Sequence, residues 1–371
     1  MWQDNHPPTR IFKEKAAGAT GVHSIVWILS DLPREDGDFR MPKELTHWHV
    51  AHRVLHSVPP GRIRDIIAGY PHHYYLGAIA HDIPFYDLSQ PKETSIERLG
   101  EQLHGVNGEN TLVPVSNMME QALTQADRQS LLSFLLGMLT HYIADSSFHP
   151  LVYYLTGNYY DSDENSQAKA VFRHRLLETA IDLWLETEEP LDYPRNLAAL
   201  WRRVGPSGAP SLALIVDQYQ VNGDHSTAAH FRTAWRTHRF LQAAFKRSVP
   251  WRILSFYRRF GHPKVEKHEA LFYPQPLDLS MLNAAINWQH PVTGIAGHTT
   301  LGELYTESND RAVELFNRLA EHPISKWPLI LQRLEPLSLD SGLPYVPVAA
   351  MKYFLNEPIE YKLRIEHKKE I

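Results

Sequence analysis

Leu131, Leu132, Leu135, Leu136, Leu139 and Tyr142 recur at spacings of three and four, which predicts a helix over residues 127–146. Asp127 stands at its start, and Pro150 is not expected to continue it cleanly. A second long helix is predicted over 168–187 from Val171, Leu176, Ile181, Leu183 and Leu185. Pro42 opens a helix expected to run to about His56, where Pro59, Pro60 and Gly61 end it. Residues 74–81 predict a short apolar helix stopped by Pro84. Residues 87–117 are polar and Gly-rich, which predicts a long loop with short helices, and 188–225 are broken by Pro and Gly. Helical periodicity returns at 226–247, 250–260, 278–288 and 300–320. Few segments alternate with the period of two that strands require. The expected fold is all-α and multi-helix. Its expected parts are an N-terminal segment (1–40) with an acidic loop at 31–38, a helical domain (41–320), and a proline-rich helical C-terminal extension (321–371).

Composition narrows the chemistry. With 371 residues and 43% hydrophobic content the chain can bury a sizeable core. It has no cysteine, which excludes disulfides, thiolate catalysis, zinc fingers and iron–sulfur ligation. Any metal must be held by His, Asp, Glu or backbone groups, and 22 histidines are enough to suggest such a site. A net charge of −5 does not describe a generic nucleic-acid binder. No apolar run reaches the roughly 18 residues of a spanning helix. The first ten residues, MWQDNHPPTR, lack the pattern of a secretory leader, so a cytoplasmic location is expected.

The chemistry concentrates in HYIADSSFH, residues 141–149. On a helix, residues four apart share a face about 6 Å apart along the axis, so His141, Asp145 and His149 form a polar stripe. His141 and His149 would be about 12 Å apart. Metal–nitrogen bonds are only about 2 Å long, so the stripe favours at least two ions with Asp145 placed to bridge them. The competing reading is a buried hydrogen-bonded network. His174 and Glu178 repeat the one-turn spacing. That pairing also occurs at 141 and 262, so a pair alone decides little. His47, His49, His52 and His56 crowd one helix, His81 and Asp82 end GAIAHD, and His104 lies in the loop; most of these histidines are expected to be bystanders.

These segments resemble the bacterial zinc-dependent phospholipase C family, whose fold is shared with zinc-dependent single-strand nucleases. FLLGMLTHYIADSSFHPLVYYLTG (134–157) resembles the family's core ligand helix, and FRHRLLETAIDLWL (172–185) the next one. THWHVAHRVL (46–55) resembles its N-terminal Thr-His segment, and LGAIAHD (76–82) its Gly-to-Pro-Asp loop, with His81 in place of Pro. WQHPVTGIAGHTTLGELY (288–305) is similar to a late Trp-to-Pro segment. The resemblance spans roughly 40–320. It implies one zinc held by Asp82, His104, His141 and Asp145, and a second held by His149, His174 and Glu178. A third would use His47 with Asp145 bridging. In secreted members that ion also takes the amino group of a processed N-terminal Trp, whereas here Trp2 follows Met1.

The implied activity is hydrolysis of a phospholipid or other phosphodiester by metal-activated water, a reaction clustered zinc ions support. Asp82 would orient or deprotonate that water, or act as a plain ligand. The alternatives are a single-strand nuclease and a non-catalytic metal-stabilised binding module. Residues 232–267 bear on the choice. They hold ten Lys or Arg against one acid, Glu266, interleaved with Trp235, Phe240, Phe245, Trp251, Phe256, Tyr257 and Phe260. Such a stretch suits nucleic acid or an anionic membrane surface, or else two amphipathic helices with buried rings. No protein partner is evident.

Overall fold

A computed structural model describes residues 44–89, 96–194, 196–218, 226–258, 263–357 and 359–365. The expected N-terminal segment, including Trp2 and the acidic loop, lies outside the described residues, as do Phe260 and His262.

The elements run α1 (Glu44–Ser57), α2 (Arg62–Gly69), α3 (Pro71–Gly77), a 3-10 turn (Ala80–Tyr86), α4 (Glu97–His104) and α5 (Leu112–Leu123). There follow α6 (Arg128–Thr156), α7 (Glu164–Glu188), α8 (Leu197–Val204), α9 (Gly208–Asp217), α10 (Ser226–Phe245), α11 (Ser248–Arg258) and α12 (Pro263–Glu269). A hairpin of β1 (Ile286–Gln289) and β2 (Ala296–Thr299) precedes α13 (Leu301–Ala320), α14 (Trp327–Arg333) and α15 (Glu360–Leu363).

The fold is all-α with one small hairpin, and α6 is its axis. This 29-residue helix is buried along nearly its whole length, because α1, α2, α3, α5, α7 and α13 all pack on it. A helix apolar on every side is stable only in such a position. The sequence pattern ends this helix near 146, but it runs through Pro150 to Thr156. Pro150 deprives the Ser146 carbonyl of its usual helical donor. That carbonyl instead faces Gly342, where a Cβ would come within 2.8 Å of it and of Pro150 Cγ. Packing on several sides thus outweighs the local preference of proline.

The nearest neighbour of α6 is α3. A Cβ on Gly77 would fall 1.9 Å from the Phe134 carbonyl oxygen, and one on Gly137 2.0 Å from that of Tyr74. Two facing glycines therefore let the backbones touch. The same contact brings the Ala78 carbonyl within 2.9 Å of His141 Nδ1. The helix expected over 74–81 lies earlier, at 71–77, and Pro84 does not mark its end but sits inside the 3-10 turn that follows. So short a turn needs few amide donors, and Pro84 costs it little.

The stretch 87–117 holds the short helix α4 and the start of α5, in keeping with the short helices expected there, and α8 and α9 lie within the Pro- and Gly-broken stretch 188–225. A further expectation is corrected. The periodicity at 278–288 is not helical: a 3-10 turn (Ser280–Asn283) leads into β1, which pairs antiparallel with β2. Trp288 pairs with Gly297, whose missing side chain leaves room for the indole. By contrast, α13 begins where expected. Thr300 Oγ1 accepts from the Glu303 amide and Glu303 Oε2 from the Thr300 amide, a reciprocal cap.

Beyond α14 the chain turns back over the core. Leu337 N donates to Tyr142 Oη, Leu339 N to the His104 carbonyl and Val348 N to the Val106 carbonyl.

Gly137→Ala should cost about 3 kcal/mol or more of stability, since the added methyl meets backbone that cannot yield. Chemical denaturation of the two proteins tests this.

Candidate metal centre

Four buried side chains from three parts of the chain converge beside the middle of α6. Asp82 comes from the 3-10 turn, His104 from the last turn of α4, and His141 and Asp145 from α6. One potential ligand atom from each lies within 4.8 Å of all the others. His104 Nε2 is 3.2 Å from Asp82 Oδ1 and 3.4 Å from Asp145 Oδ2. His141 Nε2 is 3.4 and 2.9 Å from the same oxygens. Ligands of a tetrahedral zinc with bonds of about 2.0–2.2 Å are separated by about 3.3–3.6 Å, so these spacings need little adjustment.

A second group lies one turn further along α6. His149 Nε2 and His174 Nε2 approach Glu178 Oε1 at 3.7 and 3.3 Å. The first group is buried, whereas the side chains of His149 and Glu178 are each 13% exposed. A group of three donors, less deeply buried than the first, leaves a fourth position to another ligand, as catalytic zinc sites do.

Asp145 joins the two groups. Its Oδ2 faces His104 and His141, while Oδ1 lies 3.7 Å from His149 Nε2 and 3.5 Å from His47 Nε2. His47 also lies 3.7 Å from Asp82 Oδ2 and stacks on His141 at 3.9 Å. All eight residues singled out in the sequence are thus brought together. His49 and His52 turn elsewhere, to Glu186 and Tyr75.

Several polar atoms here are buried without a hydrogen-bond partner: both Asp82 carboxylate oxygens, Asp145 Oδ2 and His141 Nε2. Buried polar atoms are normally satisfied, and nitrogen and oxygen donors in this arrangement fit zinc. The outward nitrogens are occupied. Nδ1 of His104 bonds the Gly100 carbonyl at 2.7 Å, that of His141 the Ala78 carbonyl, and that of His149 the Leu339 carbonyl at 3.1 Å. Each bond turns Nε2 inward as a potential ligand.

Charge is concentrated as well. Burial opposes ionisation of Asp145, but His141, His149 and His47 outweigh it and hold its pKa well below the usual range. Burial likewise opposes charge on His104, yet the adjoining carboxylates of Asp145 and Asp82 raise its pKa to about 10. His47, desolvated and beside His141, falls to about 4. For Glu178, burial is overcome by His174 and His149, and its pKa drops to about 2.

The family model for zinc dependent phospholipase C matches residues 46–247. The chain belongs to this family. No curated protein and no solved structure matches it. Over half of the chain lies in the match, and all eight converging residues fall inside it. Family and site together make the protein a zinc-dependent hydrolase.

Two features were not visible in the sequence. Asp340 lies 3.4 Å from His149 Nδ1, yet it sits in a Ser-Leu-Asp-Ser-Gly turn (338–342) with no ligand spacing to mark it. The other is the packing of His81. It stacks on His141 at 4.6 Å with both ring nitrogens buried and unpartnered. Burial, with His141 and His104 nearby, holds its pKa well below the usual range. His81 is neutral filler.

His81→Phe should therefore leave zinc uptake intact and keep or raise the thermal midpoint, because it removes unsatisfied buried nitrogens. His104→Ala should abolish one zinc. Metal analysis and thermal unfolding of both variants check the contrast.

Proposed function

We propose that this protein is a phospholipase C-type phosphodiesterase that cleaves the headgroup phosphodiester of a phospholipid. One zinc is assigned to Asp82, His104, His141 and Asp145, and a second to His149, His174 and Glu178. The gap between His47, Asp82 and Asp145 is the place for a third. The observation that carries this reading is the shared carboxylate of Asp145, which sets two donor groups side by side with the more exposed one facing solvent. Bound zinc supplies Lewis-acid stabilisation of phosphoryl oxygens and lowers the pKa of water.

The chain's own residues have separable tasks. Asp145 spaces the two groups. Asp82 turns Oδ1 to His104 and His141 and Oδ2 toward His47, so Oδ2 is the oxygen to orient or take a proton from the attacking water. No side-chain nucleophile is required. Ser146 and Ser147 are committed to the Ile143 carbonyl and the Arg311 guanidinium on another face of α6.

The phospholipid reading is favoured over a nuclease by where the aromatic rings lie. Single-strand binding uses exposed rings for base stacking. Tyr153 and Tyr159, beside His174, are buried. Of the basic–aromatic stretch, Trp235 and Phe245 are core residues, while Phe240, Phe256 and Tyr257 are exposed with Val249 and Arg252. That mixture suits an anionic membrane surface. Among the described residues no helix is long and apolar enough to cross a membrane.

Elemental analysis of the purified, zinc-loaded protein should find at least two zinc ions per chain; fewer than one overturns the reading. Release of phosphocholine from phosphatidylcholine should cease with chelator and return with zinc, and should exceed cleavage of single-stranded DNA. Asp145→Asn should reduce both zinc content and turnover more than His47→Ala, because Asp145 serves both groups.

Zinc must also displace the proton that Asp145 and Asp82 hold on His104. A histidine with its pKa raised to about 10 competes with metal up to that pH. Zinc affinity should rise steadily from pH 6 toward 10, with proton release on binding. Calorimetry in buffers of different ionisation enthalpy tests it, and pH-independent affinity contradicts it.

A further inference from the structure

The turn carrying Leu339 and Asp340 lies nearly a hundred residues beyond the end of the family match at 247. It nevertheless touches both donor groups. Leu339 N donates to the His104 carbonyl at 2.8 Å, and the Leu339 carbonyl accepts from His149 Nδ1 at 3.1 Å. Asp340, only 3% exposed, places Oδ1 at 3.4 Å from the same nitrogen. The Asp340 carboxylate is itself fixed, with Oδ1 accepting from Tyr153 Oη at 3.0 Å and Oδ2 from Tyr160 Oη at 2.8 Å. The turn is set against α6 where only glycine fits. Gly342 has φ +66°, and a Cβ there would lie 2.8 Å from the Ser146 carbonyl oxygen.

From this geometry we infer that Asp340 is a positioning residue of the metal centre. It holds the His149 ring so that Nε2 points to the ion shared with His174 and Glu178, and it strengthens that nitrogen as a donor. A carboxylate on the far nitrogen of a metal-bound imidazole typically accounts for about 10- to 100-fold in metal affinity. The inference rests on the zinc assignment above. It adds a residue that carries no ligand spacing and reaches the site through the C-terminal part of the chain. The bland alternative is that Asp340 merely anchors the turn to Tyr153 and Tyr160.

The test is zinc titration of the full-length protein against a chromogenic chelator, with the absorption of the cobalt-loaded form as a second readout. His149→Ala and His104→Ala identify which zinc belongs to which group. Asp340→Asn should weaken only the zinc lost in His149→Ala, by about 10- to 100-fold, and should shift the cobalt bands. The zinc lost in His104→Ala should keep its affinity.

Replacing both tyrosines, Tyr153→Phe with Tyr160→Phe, separates positioning from anchoring and carries the test if Asp340→Asn fails to fold. Positioning predicts that this variant keeps the second zinc, because Asp340 still faces His149. Anchoring predicts its loss. Unchanged zinc affinity in Asp340→Asn, or loss of the second zinc in the tyrosine variant, overturns the inference alone. Absence of a second zinc in the unaltered protein overturns the parent assignment and this inference with it.

Discussion

The carboxylate of Asp145 is the constraint on which the rest of the site depends. It is buried at the centre of the fold, and each oxygen faces two imidazoles: His104 and His141 on one side, His47 and His149 on the other. A buried anion is costly unless paired and hydrogen-bonded. The fold therefore has to deliver cationic groups to this point from several directions. α1 brings His47, α4 brings His104, and α6 supplies His141 and His149 one turn to either side. Metal ions and protonated imidazoles are interchangeable partners for the same carboxylates. Occupancy of the site and stability of the fold are consequently linked, with zinc adding stability wherever it binds the folded chain alone.

The histidines are not all held alike. His104, His141 and His149 each bond a backbone carbonyl through Nδ1, and the three carbonyls come from α4 itself, the chain just after α3, and the C-terminal turn. His47 and His174 have buried Nδ1 atoms without a partner. His47 is oriented instead by its stack on His141. The site thus has three rings locked by hydrogen bonds and two held by packing. The packed rings are His174, in the less deeply buried group, and His47, beside Asp82 and Asp145.

Much of this was legible because helix geometry is local. The i, i+4 spacing of His141, Asp145 and His149 fixes their face and separation whatever surrounds them, and the two donor groups follow that division. The helix expected over 300–320 was readable for the same reason, and it runs from Leu301 to Ala320. What failed to show was decided by distant residues. Pro150 continues α6 because Gly342 and the surrounding helices accommodate it. The apparent helical period at 278–288 yields to a hairpin in which Trp288 lies over Gly297. Asp340 had no local signature at all, since its meaning lies in a contact spanning nearly two hundred residues of chain.

The family match ends at 247, and every converging donor precedes that point. Yet the chain beyond it is part of how the donors are held. α13 covers a face of α6, and Arg311 from it bonds Ser146 and Ser147, the residues directly after Asp145. Leu337 is bonded to Tyr142, next to His141, and Leu339 to both His104 and His149. Each late contact falls on a residue that is a donor or adjoins one within a few positions. Stripped of residues 301–342, α6 would expose apolar side chains now buried against α13 and lose the carbonyl that orients His149. The ligand pattern and the C-terminal region are therefore a single mechanical unit, in which the early chain supplies donor atoms and the late chain fixes their directions.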